Sequence, residues 1–211
     1  MTEDRRVAVI GLGYVGLPLA ISFAEAGLTV DGVDAYAGRV TELNAGISPI
    51  DDVTNERLAA ALADGLTVRG PETTDLAAAD VIFVCVPTPI TTTKDPDLAP
   101  VLAAAETIRG AIRAGQLIVL QSTTYPGTTT GPFRDVLEMS GLRAGVDFDL
   151  PSRGGAPGER DHRDHEHQRR AKHESSSHNR ACLNDLAPLR PLRRVRERRR
   201  PGRGPHYWIF H

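Results

Sequence analysis

At 211 residues the chain has room for one large or two small domains, and its formal net charge of −2 hides two stretches of opposite sign. Residues 1–150 carry 20 Asp and Glu against 10 Lys and Arg, a net of −10, whereas residues 151–211 carry 7 against 15, a net of +8, together with all seven histidines. Two cysteines exclude a disulfide framework, no run reaches the roughly 20 apolar residues of a membrane span, and Met1–Arg6 is too polar for a secretory signal, so a cytoplasmic location and no membrane partner are expected.

Along the chain, Arg6–Ile10 is a short, β-branched apolar run that predicts a buried strand. Val15 to Ala26 has apolar residues at helical spacing, with Gly27 where a helix stops and Pro18 tolerated in the first turn. Leu28 to Val33 predicts a second strand, ending at Asp34. Helices are predicted over Gly38–Ala45 and Asn55–Ala63, and a third strand over Leu66–Arg69. Asp75–Ala79 reads as a helical turn and Val81–Val86 as a fourth, strongly apolar strand. After a loop from Pro87 to Pro96 come a helix over Pro100–Arg113, a strand over Leu117–Gln121 and a helix over Thr130–Ser140. Val146–Leu150 reads as the opening of a sixth strand.

Strands that alternate with helices predict a parallel sheet covered on both faces. With right-handed crossovers this is an α/β, doubly wound parallel sheet of the Rossmann type, assigned to residues 1–150. Residues 151–211 have too few apolar side chains to offset the entropy of ordering them, and a disordered basic tail is expected there.

Gly11-Leu-Gly13-Tyr-Val-Gly16 lies between the first strand and the first helix. A bare G-x-G-x-x-G also describes an ordinary turn; this context is what points to a dinucleotide. Gly11 permits the tight turn, Gly13 lets a pyrophosphate approach the backbone, and Gly16 lets the helix pack closely on the sheet. The helix N-terminus then offers free N–H groups and a positive dipole to the phosphates. Asp34 follows Gly16 by 18 residues, at the end of the second strand, where a carboxylate accepts hydrogen bonds from the adenosine ribose and repels a 2′-phosphate. NAD is therefore expected over NADP, although Arg39 nearby could serve a 2′-phosphate. The bland alternative for Asp34 is a solvated strand end. Cys85, inside an apolar strand, reads as a small buried hydrophobe rather than a nucleophile.

Several segments together resemble the UDP-glucose/GDP-mannose dehydrogenases: Val7–Gly16 with Leu17-Pro-Leu-Ala20, Val33-Asp34, Val84-Cys-Val-Pro-Thr-Pro89 with Asp95-Pro-Asp-Leu98, and Gln121-Ser-Thr-Thr-Tyr-Pro-Gly-Thr-Thr129. The last is similar to the branch that oxidises UDP-N-acetyl-hexosamines. The resemblance implies that Tyr14 and Val15 meet the pyrophosphate through backbone amides and that Asp34 holds the ribose with Arg39 beside it. It also implies that Thr88 and Thr123 line the nicotinamide and sugar side. Taken alone, either threonine could as well cap a turn or helix. Pro126 and Gly127 are expected to shape the turn into the next helix. The implied reaction takes the C6 alcohol of a UDP-sugar to a carboxylate by two hydride transfers to NAD, through a cysteine thiohemiacetal and thioester, in a homo-oligomer.

The chain departs from that pattern after Phe148-Asp-Leu150. The family continues into Ser-Pro-Glu-Arg; this chain reads Pro151-Ser-Arg-Gly-Gly-Ala-Pro-Gly158. The catalytic cysteine, lysine, asparagine and glutamate cannot be placed, and Cys182 lacks the expected Phe-Pro-Lys context, so an incomplete, inactive enzyme is expected. Pro157 to His165, spelled in GC-rich codons and read one base later, gives Pro-Gly-Asn-Ala-Thr-Thr-Ala-Thr, which resembles the family and suggests a frameshift. Other readings of the tail are an electrostatic patch around Arg193–Arg200, a metal site from His162, His165 and His167, or a merely solvated charge run. Nucleic-acid binding is not favoured. A stand-alone NAD(H)-binding module working with a partner is the alternative function.

Overall fold

A computed structural model describes residues 5–89 and 96–151, all within one unit spanning Met1–Gly154. Five strands form its sheet: β1 (Arg6–Ile10), β2 (Thr29–Val33), β3 (Leu66–Arg69), β4 (Val81–Val84) and β5 (Leu117–Leu120). Every pairing is parallel and the order is β3-β2-β1-β4-β5. Consecutive parallel strands need crossovers; helices supply those after β1, β2 and β4, short turns alone make the one from β3 to β4, and a last helix follows β5. The helices are α1 (Gly16–Glu25), α2 (Ala37–Asn44), α3 (Asn55–Ala63), α4 (Ala99–Arg109) and α5 (Arg134–Glu138). The chain leaves β1 toward β2 on one side and later returns to place β4 on the other. The switch point of the doubly wound fold thus lies between β1 and β4, with Ile10 opposite Val84 at their C-terminal ends.

Alternation along each strand divides the core. Ala8, Ile10, Ile82 and Val84 face one side, where they pack with Val101, Ala105 and Ile108 of α4 and with Phe133 and Leu137. Phe83 points to the other side and meets Phe23 of α1 with ring centroids 5.2 Å apart. A buried charge interrupts the apolar pattern. Asp31, 1% exposed in the middle of β2, is held by Arg6 Nη2 at 3.0 Å and Thr67 Oγ1 at 2.9 Å, and by Arg6 Nε. Paired and hydrogen-bonded in this way, the carboxylate is tolerated in the sheet.

Three expectations change. The helix over Thr130–Ser140 is instead a wide turn, Thr129–Phe133, followed by the short α5. Pro132 has no N–H, so Phe133 N donates to Thr128 O at 3.1 Å in its place, and Gly131 leaves helical geometry (φ −111°, ψ −112°). The helix over Pro100–Arg113 ends at Arg109. The guanidinium of Arg113 turns inward to the carbonyls of Ala77 and Ala79 and to Asp80. The sixth strand is reduced to one bridge, Leu117 with Asp149, although the chain does run parallel to β5 there. Asp149 N donates to Gln116 O and Ile118 N to Asp149 O, both at 2.8 Å; the next donor in that ladder would be residue 151, a proline. Asp75–Ala79 closes as a single tight turn, Leu76–Ala78, and the fully buried amide of Gln116 donates to the carbonyls of Leu76 and of Ala79 just after it.

Candidate functional site

The glycine turn follows β1 and enters α1 at the switch point. Gly11 has φ +92°, and a Cβ on it would lie 2.7 Å from the carbonyl oxygen of Cys85. A Cβ on Gly16 would lie 1.8 Å from the carbonyl oxygen of Gly11 and 3.1 Å from Cys85 Cβ. Both glycines are therefore required by the fold itself, because turn, helix and β4 touch there. Gly13 differs: a Cβ would meet nothing within 4 Å. Open space beside a backbone is what a phosphate needs. Tyr14 and Val15 complete the turn and are 74% and 53% exposed. Cys85 is buried at this junction.

Asp34, just past β2, reaches back to this turn. Its Oδ2 accepts from Leu12 N and its Oδ1 from Tyr36 N, each at 2.9 Å. Each oxygen keeps a lone pair for a further donor, such as a ribose hydroxyl. Arg39 on α2 donates from Nη1 to the carbonyl oxygen of Leu12 at 2.9 Å. Asp34 and Arg39 are thus brought together around one residue of the turn. The side chain of Leu12 is fully buried, against the strand glycine Gly32. Leu12 and Tyr36 carry no side-chain chemistry that would single them out. The one available sign was a glycine inside β2, which marks close approach of another group.

The threonines sit on the far side of the switch point. Thr88 follows β4 and donates from Oγ1 to the carbonyl oxygen of Thr123 at 2.6 Å, tying the loops after β4 and β5 together. Thr123 is exposed. Ser122, which sequence reasoning passed over, anchors the same junction through Oγ to the carbonyl oxygen of Val86 at 2.8 Å. Gly127 has φ +91°, which only the turn residue glycine adopts readily, and Thr128 is buried beyond it. Asp95 and the histidine and arginine clusters of residues 152–211 lie outside the described residues. Among the described residues no group of three or more His, Cys, Asp or Glu could hold a metal. No helix among them is long and apolar enough to cross a membrane.

A glycine turn at a switch point, braced by an acidic residue on the neighbouring strand, is a dinucleotide-binding arrangement, and comparison with known proteins says which. Residues 5–154 match the NAD-binding domain of the UDP-glucose/GDP-mannose dehydrogenase family. The chain belongs to that family. It is 41% identical over 165 residues to a UDP-N-acetyl-D-glucosamine 6-dehydrogenase of Pseudomonas aeruginosa, covering 76% of this chain and 38% of that protein. A solved UDP-D-ManNAc dehydrogenase from Pyrococcus horikoshii superposes with a TM-score of 0.63 at 39% identity, over 68% of this chain and 34% of the other. A ternary complex of GDP-mannose dehydrogenase from Pseudomonas aeruginosa gives 0.62 at 33% identity, again over 68% and 34%. The chain thus spans about a third of the length of these dehydrogenases.

Within the UDP-glucose/GDP-mannose dehydrogenases this is the NAD-binding domain of an oxidoreductase, and the residues present fit that cofactor. The cradle at Gly11 and Gly16 is closed to any side chain, the space at Gly13 is open, and the carboxylate of Asp34, with spare acceptor capacity, stands beside the turn.

Proposed function

We propose that this chain supplies the NAD site of a UDP-N-acetyl-hexosamine 6-dehydrogenase and does not complete the sugar oxidation alone. The observation that carries the reading is the carboxylate of Asp34 bonded to the amide of Leu12 at 2.9 Å, which joins the ribose position to the glycine turn. The sugar class is supported by the Gln121–Thr129 segment and by similarity to relatives named as UDP-N-acetyl-D-glucosamine and UDP-N-acetyl-D-mannosamine dehydrogenases, at 41% and 38% identity.

When bound, NAD would accept the hydride. The protein's part is to hold it. Backbone amides at Gly13, Tyr14 and Val15 take the pyrophosphate with help from the N-terminus of α1. Asp34 accepts from the ribose hydroxyls and disfavours a 2′-phosphate by repulsion. Thr88 and Thr123, at the C-terminal ends of β4 and β5, border the crevice in which the nicotinamide and the sugar carbon would meet. Residues 1–150 form the cofactor domain in this reading. Beyond residue 154, where the family match ends, the tail is frame-shifted or otherwise foreign, and the complete enzyme is a cytoplasmic homo-oligomer that binds the UDP-sugar with a second domain.

The test is to incubate the chain with NAD and either UDP-N-acetyl-hexosamine. NADH should bind, and no sugar-dependent NADH should form; NADH formation would contradict the proposed incompleteness. Reading the coding DNA across codons 140–215 in all three frames tests the tail. A frame that continues into Ser-Pro-Glu-Arg supports a frameshift. No such frame, together with NADH binding, favours a stand-alone NAD(H)-binding module, a reading consistent with a turn, carboxylate and threonines that all lie before residue 151.

A further inference from the structure

Three successive peptide units of the glycine turn are tied to the β2 side of the site. The Ile10–Gly11 unit donates through Gly11 N to Val33 O at 2.7 Å. The Gly11–Leu12 unit donates through Leu12 N to Asp34 at 2.9 Å. The Leu12–Gly13 unit accepts through Leu12 O from Arg39 Nη1, also at 2.9 Å. Arg39 makes this bond from a position where its Nε is buried without a partner, so the guanidinium gives up solvation to reach the carbonyl.

In a planar trans peptide the carbonyl and the N–H point in opposite directions. Drawing Leu12 O toward α2 therefore aims Gly13 N–H away from α2. Among the described residues that N–H donates to no group, and the space beside Gly13 is open.

Building on the NAD reading, we infer that Arg39 is a positioning residue that acts through the carbonyl of Leu12, presetting the Leu12–Gly13 peptide plane so that Gly13 N–H faces the pyrophosphate of the dinucleotide. Its effect on binding then falls on the phosphates. A guanidinium that only touched the ribose would act equally on ligands with and without phosphate.

The experiment compares the full chain with Arg39→Ala and Arg39→Lys. In the cofactor-free protein, losing the Arg39 bond to Leu12 O should loosen the turn and weaken the adjoining Leu12 N–H bond to Asp34, so amide hydrogen exchange at Leu12 should rise severalfold in Arg39→Ala. Exchange at Val9, in the same strand but away from the turn, should stay unchanged. Affinity for ADP should fall by about tenfold and affinity for adenosine by less than roughly twofold. Arg39→Lys keeps one charged donor and should restore much of both the protection and the ADP affinity; it also keeps the test available where the alanine variant folds poorly. Equal losses for ADP and adenosine would overturn the inference in favour of direct ribose contact. So would unchanged exchange at Leu12. Failure of the wild-type chain to bind either ADP or NADH would count against the NAD reading instead, while the exchange measurement still decides the role of Arg39.

Discussion

The three glycines of the turn should respond differently to alanine, because the structure needs each for a different reason. At Gly16 the added methyl would stand 1.8 Å from the carbonyl oxygen of Gly11, at least 1.2 Å inside the 3.0 Å limit that real Cβ atoms respect. The atoms in the way are backbone on one side and Cys85 on the other, so α1 itself must shift from the sheet. Overpacking of this kind costs about 3 kcal/mol or more. At Gly13 the methyl meets nothing within 4 Å and the backbone is not in the left-handed region. The fold should then be unchanged, or more stable by about 0.5 kcal/mol from the reduced freedom of the unfolded chain. The methyl would, however, occupy space a pyrophosphate needs, and NADH affinity should fall at least about tenfold. Urea unfolding followed by circular dichroism, paired with NADH titration, separates the two. Gly13→Ala should lose binding and keep stability, whereas Gly16→Ala should lose both. Wild-type NADH affinity in Gly13→Ala, or wild-type stability in Gly16→Ala, would refute the assignment of roles.

Asp34→Asn removes the charge that repels a 2′-phosphate while keeping an acceptor for one backbone amide, so the preference for NADH over NADPH should shrink by about tenfold in paired titrations. Gln116→Leu removes, at a fully buried side chain, the donor shared by the carbonyls of Leu76 and Ala79 and leaves the amide of Arg113 without its acceptor, and unfolding should show a loss of about 1–3 kcal/mol. Thr54 caps α3 by accepting from Arg57 N at 3.2 Å; Thr54→Ala should cost about 1 kcal/mol by the same assay. Glu25 pairs with Arg57 through two bonds of 2.7 and 3.0 Å, and hydrogen bonding to that guanidinium holds its pKa below the usual 4.5. The stabilisation is fully present above about pH 4.5 and is lost as pH falls through the lowered folded value; Glu25→Gln should flatten the stability profile in that acid range.

The sheet was legible because its strands are short apolar runs buried on both faces, set between helices of distinct period. Val81–Val84 and Asn55–Ala63 needed no tertiary information. The expectations failed where a single residue decided the local outcome. Pro132 turned a helical pattern into a wide turn, and Pro151 denied the edge at Phe148–Leu150 its next donor. Asp31 was hidden because a buried carboxylate in a strand has meaning only once Arg6 and Thr67 are known to surround it. At the cofactor end, the motif indicated which residues to inspect but not how they connect. That Asp34 and Arg39 converge on the two polar groups of Leu12 is a property of main-chain atoms, which periodicity and composition do not encode.

The most direct test of the central claim is equilibrium titration of the full chain with NADH and with NADPH, followed by ligand fluorescence. Saturable binding of NADH at one site per chain, tighter than NADPH by at least about tenfold, is the expected result for a carboxylate at the ribose position. A folded chain that bound neither nucleotide, or that preferred NADPH, would contradict it.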